Sequence, residues 1–330
     1  MFQIDTYVDC LKSIAEPSRL RILRVLADGD LTVSDITTIL GQSQPRVSRH
    51  LKLLLETGLI NRWQEGSWAL FRLVSSGEKS ALVHSVLATL DPHDPIITRD
   101  KERLDDVKKA RRAAAADYFA KNAASWDKIR SHHVADSDVE DALVSILGKG
   151  PFNAMLDIGT GTGRMLELFA PHYRSAVGID ASREMLGIAR ANLEASSISN
   201  CEVRLGDVYN MPVERNAYDL VVIHQVLHFL DDPAAALREA ARALAPSGKL
   251  AIIDFAPHEK EFLRAEHQHQ RLGFENAQVH AWLKAAGLKP GAEKSLTPTS
   301  ATGEQPLTVM IWSAQDERIE IAGTLLEKVA

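Results

Sequence analysis

The spacing of apolar residues divides this chain into two differently patterned parts. Over the first ninety or so positions they recur at helical intervals and then alternate. From residue 153 onward, short apolar runs alternate with helical stretches. In the first part, Glu16-Pro17 sets a proline at a helix start, followed by Leu20, Leu23 and Leu26 on one face. Thr32-Val33-Ser34-Asp35 has the form of a capping box, and Gly41 closes the helix it opens. Ser43 caps a second helix two residues later, with Pro45 in its first turn and Gly58 at its end. Val47, Leu51, Leu54 and Leu55 form its inward stripe, leaving Gln44, Arg46, Ser48, Arg49 and His50 to face outward. Residues 59–64 and 68–74 alternate around Glu65-Gly66-Ser67, which predicts a hairpin. Helix, tight turn, helix and hairpin together predict an α+β winged helix-turn-helix.

In the second part, runs at 154–158, 176–180, 202–205, 220–224 and 249–255 predict strands separated by helices. That alternation makes an α/β, doubly wound, mostly parallel sheet, whose ligand belongs at the carboxyl ends of the strands. Between the parts, Asp91-Pro92-His93-Asp94-Pro95 ends a helix. Residues 98–129 lack proline and glycine and place Lys101, Asp105 and Lys109 four apart, so a solvated helix is expected there. The expected organisation is a winged-helix domain at 1–95 and a helical connector at 96–116. A ligand-binding domain follows at 117–313, then a tail of unassigned role at 314–330.

Composition narrows the class. The chain has 330 residues, 45% hydrophobic and 25% charged, which suits a globular protein of two domains. No apolar run is long enough to span a bilayer, and Met1-Phe2-Gln3-Ile4-Asp5 is not a leader, so a cytoplasmic protein without membrane partners is expected. Cys10 and Cys201, far apart, give no disulfide framework. A net charge of −6 argues against general nucleic-acid coating. Locally the balance reverses: residues 41–72 carry Arg46, Arg49, Lys52, Arg62 and Arg72 against Glu56 and Glu65. Ser43, Gln44, Arg46, Ser48, Arg49, His50, Lys52 and Arg62 are therefore the candidate DNA contacts. Arginine can read guanine, glutamine adenine, and serine and lysine suit phosphates.

Two stretches then resemble known families. Residues 16–23 (EPSRLRIL) and 43–54 (SQPRVSRHLKLL) resemble the ArsR/SmtB family of winged-helix repressors over about residues 5–90. The resemblance implies a homodimer on operator DNA, released by an effector. Metal-sensing members carry a cysteine pair where this chain has Thr32 and Ser34, so thiolate sensing does not fit. His84 and His93 lie where some zinc sensors place ligands, but their acidic partner is missing, and no metal site is expected.

The second stretch is Leu156-Asp157-Ile158-Gly159-Thr160-Gly161-Thr162-Gly163, an acid and three alternate glycines between a strand and a helix. Glycines let a ligand approach main chain, and the leading acid suits an ammonium group; the spacing is not that of a dinucleotide site. The pattern resembles the first motif of class I S-adenosylmethionine (SAM)-dependent methyltransferases, and about residues 115–313 resemble the ubiquinone/menaquinone-type small-molecule branch. The later carriers of that likeness are residues 218–223, 227–230 and 243–250, with Tyr118-Phe119 and Trp126-Asp127 resembling a lid helix.

The resemblance implies SAM or S-adenosylhomocysteine as cofactor. Asp157 and the backbone of Gly159, Gly161 and Gly163 would face the methionine part, Asp180 the ribose hydroxyls, and Asp207 and Val208 the adenine. Tyr118 would close over the ligand. Methyl transfer from a sulfonium demands alignment and water exclusion more than acid–base help. His224 and His228 are the candidate contacts to an acceptor, His224 also bordering the cofactor. His258, His267 and His269 fall in a polar stretch that covers the acceptor pocket in this family. Arsenite methylation needs several cysteines and this part has only Cys201, so it is excluded.

Two functions are expected from this combination. One is a regulator, a repressor of operator DNA, that responds to SAM or S-adenosylhomocysteine. The other is an active methyltransferase of a small-molecule acceptor whose winged helix controls its own expression.

Overall fold

The computed structural model describes residues 2–65, 68–74, 77–123, 136–297 and 307–318. The chain forms two compact units, Met1–Ala115 with Glu259–Glu261, and Ala116–His258 with Phe262–Ala330. Trp126 and Asp127 of the expected lid, and Gly66 and Ser67 of the hairpin turn, lie outside the described residues.

In the first unit, α1 (Ile4–Ile14) and α2 (Pro17–Leu26) precede a short β1 (Leu31–Thr32). The helix-turn-helix is α3 (Val33–Leu40) and α4 (Gln44–Glu56). It is followed by β2 (Ile60–Glu65), β3 (Trp68–Leu73), α5 (Gly77–Ala88) and the start of α6 (Pro95–Asn122). The local chemistry sets these boundaries. Glu16 accepts from the Arg19 N–H ahead of Pro17, and Thr32 and Asp35 complete a reciprocal capping box on α3. Gly41 ends α3 in the left-handed region at φ 64°, which costs a glycine nothing. Ser43 holds the N-cap position of α4 without a side-chain hydrogen bond, so Pro45 and the buried face define that start. Strands β1, β3 and β2 pair antiparallel in that order, forming the wing. Ile22, Ile36, Val47, Leu51, Leu54 and Leu59 fill the core beneath them.

The second unit contains α7 (Asp136–Leu147), β4 (Phe152–Ile158), α8 (Arg164–Phe169), β5 (Tyr173–Asp180), α9 (Arg183–Ala195) and β6 (Cys201–Leu205). After these come β7 (Tyr218–His224), a 3-10 turn Leu227–Phe229, α10 (Pro233–Ala243) and β8 (Leu244–Phe255). The last elements are α11 (Phe262–His267), α12 (Asn276–Ala285), β9 (Leu288–Leu296) and β10 (Val309–Asp316). The sheet order is β6-β5-β4-β7-β8-β10-β9. The first five strands run parallel, while β10 inserts antiparallel between β8 and β9. This is the expected mostly parallel, doubly wound sheet, with seven strands. Its central strands are buried on both faces, as near-continuous apolar runs such as Leu220–Ile223 require. Reversal of strand order at β4 opens the crevice where such folds bind ligands.

Candidate functional sites

The glycine loop leaves β4 with Gly159, Gly161 and Gly163 all at positive φ, 70°, 52° and 88°. A Cβ on Gly159 would stand 2.3 Å from Val226 Cγ2, so this position excludes any side chain sterically as well as conformationally. Two of the expected acids are built into the loop. Asp157 is fully buried at the end of β4 and accepts from Thr160 Oγ1 at 2.6 Å. Asp180, half-buried at the end of β5, accepts from the Gly161 N–H and the Ser182 N–H, both at 2.8 Å. Burial pushes the Asp180 carboxyl up, against those two backbone donors. Each carboxylate oxygen has a second lone pair, so both can still accept from a ligand hydroxyl.

Asp207 is exposed beyond β6 and turns back to the Tyr209 N–H at 2.9 Å, while Val208 is half-buried. The Gly206 N–H donates to the Asp180 carbonyl at 3.0 Å, tying the ends of β5 and β6 together. The set is therefore backbone N–H groups and carboxylates around a turn that favours glycine at three alternate positions. That suits a ligand with an ammonium or sulfonium centre and paired hydroxyls.

The two histidines separate. His224 is half-buried at the end of β7. His228 is buried, its Nδ1 2.7 Å from Asp254 Oδ1, its ring packed on His269 at 4.1 Å and on Phe229 at 4.0 Å. Its carbonyl accepts from the Gln270 and Arg271 N–H groups. At 2% exposure His228 is buried, and its carbonyl pins the 269–271 segment to the sheet. Asp254, the partner that fixes His228, was missed. Its signal is the same as that of the other acids, a carboxylate at the carboxyl end of a parallel strand.

Tyr118 packs edge-on against His267, with its hydroxyl 2.6 Å from His267 Nδ1. Burial pushes the hydroxyl up to about 12, so the phenol stays protonated. Phe119 meets Phe229 at 4.8 Å, giving this end of the unit an aromatic wall with one polar edge.

On α4 of the first unit, Gln44, Arg46, Ser48, Arg49 and Lys52 are exposed, as are Ser43 and, on the wing, Arg62. His50 is not. Only 8% exposed, it lies 3.6 Å from the Glu16 carboxylate, and Val47, His50, Leu51 and Leu54 follow the i, i+3, i+4, i+7 spacing of a buried stripe. The outward assignment of His50 is corrected accordingly. Burial, opposed by Glu16 and reinforced by Arg19, Arg46 and Arg49, holds its imidazole below the usual range. Arg72 also leaves the exposed basic set, because Asp30 holds it at 2.7 Å and 3.0 Å.

Comparison with known proteins fits this division. Residues 16–62 match the family described as bacterial regulatory protein, arsR family, and residues 156–252 match the methyltransferase domain family. The chain joins an ArsR-family regulatory domain to a class I methyltransferase domain. The arsenical resistance operon repressor of Escherichia coli is 43% identical over 67 residues, 20% of this chain and 57% of that one. The demethylmenaquinone methyltransferase of Chlamydia pneumoniae is 36% identical over 121 residues, 36% of this chain and 50% of that one. The chain spans about half the length of the curated relatives it matches. A chain from the complex of the Haloferax volcanii Trm112 methyltransferase activator with a methyltransferase superposes with a TM-score of 0.51 at 19% identity. It covers 60% of this chain and 97% of itself, a likeness of fold. Among the described residues, no helix is long and apolar enough to cross a membrane.

Proposed function

We propose that this protein is a cytoplasmic, homodimeric operator-binding regulator whose methyltransferase domain binds SAM or S-adenosylhomocysteine and adjusts DNA binding to that ligand. The observation that carries the ligand is the left-handed Gly159-Gly161-Gly163 loop hydrogen-bonded to Asp180 and flanked by the buried Asp157. In this reading Asp157 and the loop backbone hold the methionine ammonium, Asp180 the ribose hydroxyls, and Asp207 with Val208 the adenine, while Tyr118 and His224 border the ligand. Bound SAM would supply an electrophilic methyl group on a sulfonium. The chain's own part is to orient the ligand through those carboxylates and to exclude water with the Phe119–Phe229 wall.

The operator reading rests on the exposed α4 face, with Arg46 and Arg49 one turn apart. The dimer rests on α1, where Ile4, Tyr7, Val8 and Leu11 form an apolar stripe at i, i+3, i+4, i+7 that is 81%, 41%, 37% and 38% exposed. Four large apolar side chains in one stripe suit cover by a second copy.

The aromatic wall with its Tyr118–His267 edge favours a second reading, an active methyltransferase of a small aromatic or apolar acceptor under its own winged-helix control. Calorimetry with SAM, followed by footprinting upstream of the gene, tests the first reading. SAM binding and a protected two-fold site support it; absence of either refutes that half. Turnover of methyl-labelled SAM to S-adenosylhomocysteine with an added acceptor would favour the second.

A further inference from the structure

The solvated connector expected at residues 96–116 is instead docked along one face. Asp100, Arg103, Leu104, Val107, Lys108 and Arg111 recur at intervals of three and four, and all turn toward the first unit's own helices. The Asp100 carboxylate takes both arms of Arg21 at 2.6 Å, and Arg21 in turn donates to the Leu40 carbonyl at 2.9 Å. Arg103 donates to the Ile39 carbonyl at 3.2 Å, and its guanidinium lies 2.7 Å from where a Cβ on Gly41 would be. Lys108 holds the Asp28 carbonyl at 2.8 Å, at the turn before β1. Arg111 reaches Asp35 Oδ2 at 2.5 Å, the carboxylate oxygen that closes the α3 capping box.

Cations delivered or fixed by α6 thus serve both ends of α3: the unsatisfied carbonyls at its C-terminus and the cap acid at its N-terminus. A seam of directional polar contacts has a single register. One residue of slip moves the helix about 1.5 Å and turns it about 100°, which breaks every contact together. The same helix continues to Asn122, and its last turns, with Tyr118 and Phe119, belong to the second unit and pack on His267 and Phe229.

We propose that α6 is a register-keyed latch on α3, which sets the affinity of the operator-reading helix and relays to it the ligand state of the methyltransferase unit. The relay rests on the ligand reading given under Proposed function; the latch on α3 does not.

The test measures operator affinity of the full chain with and without saturating SAM, in wild type, Asp100→Asn, Arg111→Ala and the exposed Lys109→Ala. Without ligand, Asp100→Asn and Arg111→Ala should shift operator affinity about five-fold or more and bring the SAM effect toward none, with Lys109→Ala like wild type. Thermal melting checks that the variants are folded. One alanine inserted after Ala114 keeps every latch contact and turns the following helix by about 100°. It should leave ligand-free operator binding and SAM binding intact and abolish the SAM effect. Folded latch variants with wild-type affinity and SAM effect overturn the proposal, as does an insertion that preserves the effect. Calorimetry keeps the readings apart: a chain that binds no SAM refutes the ligand reading, and one that binds SAM without altering operator affinity refutes the relay.

Discussion

Gly159→Ala probes the loop at its most crowded point. The residue sits at φ 70°, a conformation that costs an L-residue about 1–2 kcal/mol. The new Cβ would also approach Val226 Cγ2 to 2.3 Å and Cγ1 to 3.1 Å. Val226 is β-branched and stiff, so it cannot swing one methyl aside without changing rotamer. Overpacking of this kind adds about 1–3 kcal/mol, for about 2–5 kcal/mol in all. The collision share is separable, because Val226→Ala removes the colliding methyls. In that background Gly159→Ala should cost only the backbone share, so a double-mutant cycle should return a coupling of about 1–3 kcal/mol. Hydrogen exchange of the β4 and β7 amides, read by mass spectrometry, reports the stability of this unit without interference from the other. Equal costs in both backgrounds would refute the steric account. No cost in either would refute the left-handed loop itself.

Three further outcomes follow from other parts of the molecule. Asp180→Ala should weaken SAM binding by tens-fold, since two charge-assisted hydrogen bonds are worth on the order of 2–4 kcal/mol; wild-type affinity by calorimetry would place the ribose elsewhere. Arg46→Ala or Arg49→Ala should weaken operator binding by about 1–3 kcal/mol if the arginine reads a base; a phosphate contact would instead lower the salt slope by about one unit on every sequence. His50 titrates below its usual 6.5 when folded, so the unfolded chain binds its proton first. The stability of the first unit should therefore be complete above about pH 6.5 and fall as the pH drops through that value, and His50→Gln should flatten this limb of the denaturation curve.

Much of this was legible because local signals and tertiary structure agree. The Thr32/Asp35 box, Gly41 and the hairpin alternation state the winged helix outright. An acid before three alternate glycines states the loop, because glycine alone takes left-handed dihedrals at every second position without cost. The failures have physical causes. His50 reads as solvent-facing because it is polar, although its spacing from Val47, Leu51 and Leu54 is that of the buried stripe. The docked face of α6 was invisible because it is mainly charged, and an apolar-periodicity reading takes such a helix as solvated. Asp254 carries the strand-end signal of the other acids, but its partner, His228, lies 26 residues earlier on another element. Only the fold brings that pair together.

The central claim is that one chain binds both operator DNA and a SAM-like ligand, and that each binding alters the other. Calorimetric titration of SAM into the full chain, free and saturated with operator, tests it most directly. By linkage, the operator must change SAM affinity by the factor through which SAM changes operator affinity, about five-fold or more for a working switch. Two distinct isotherms with that reciprocal ratio are expected; superimposable isotherms would contradict the claim.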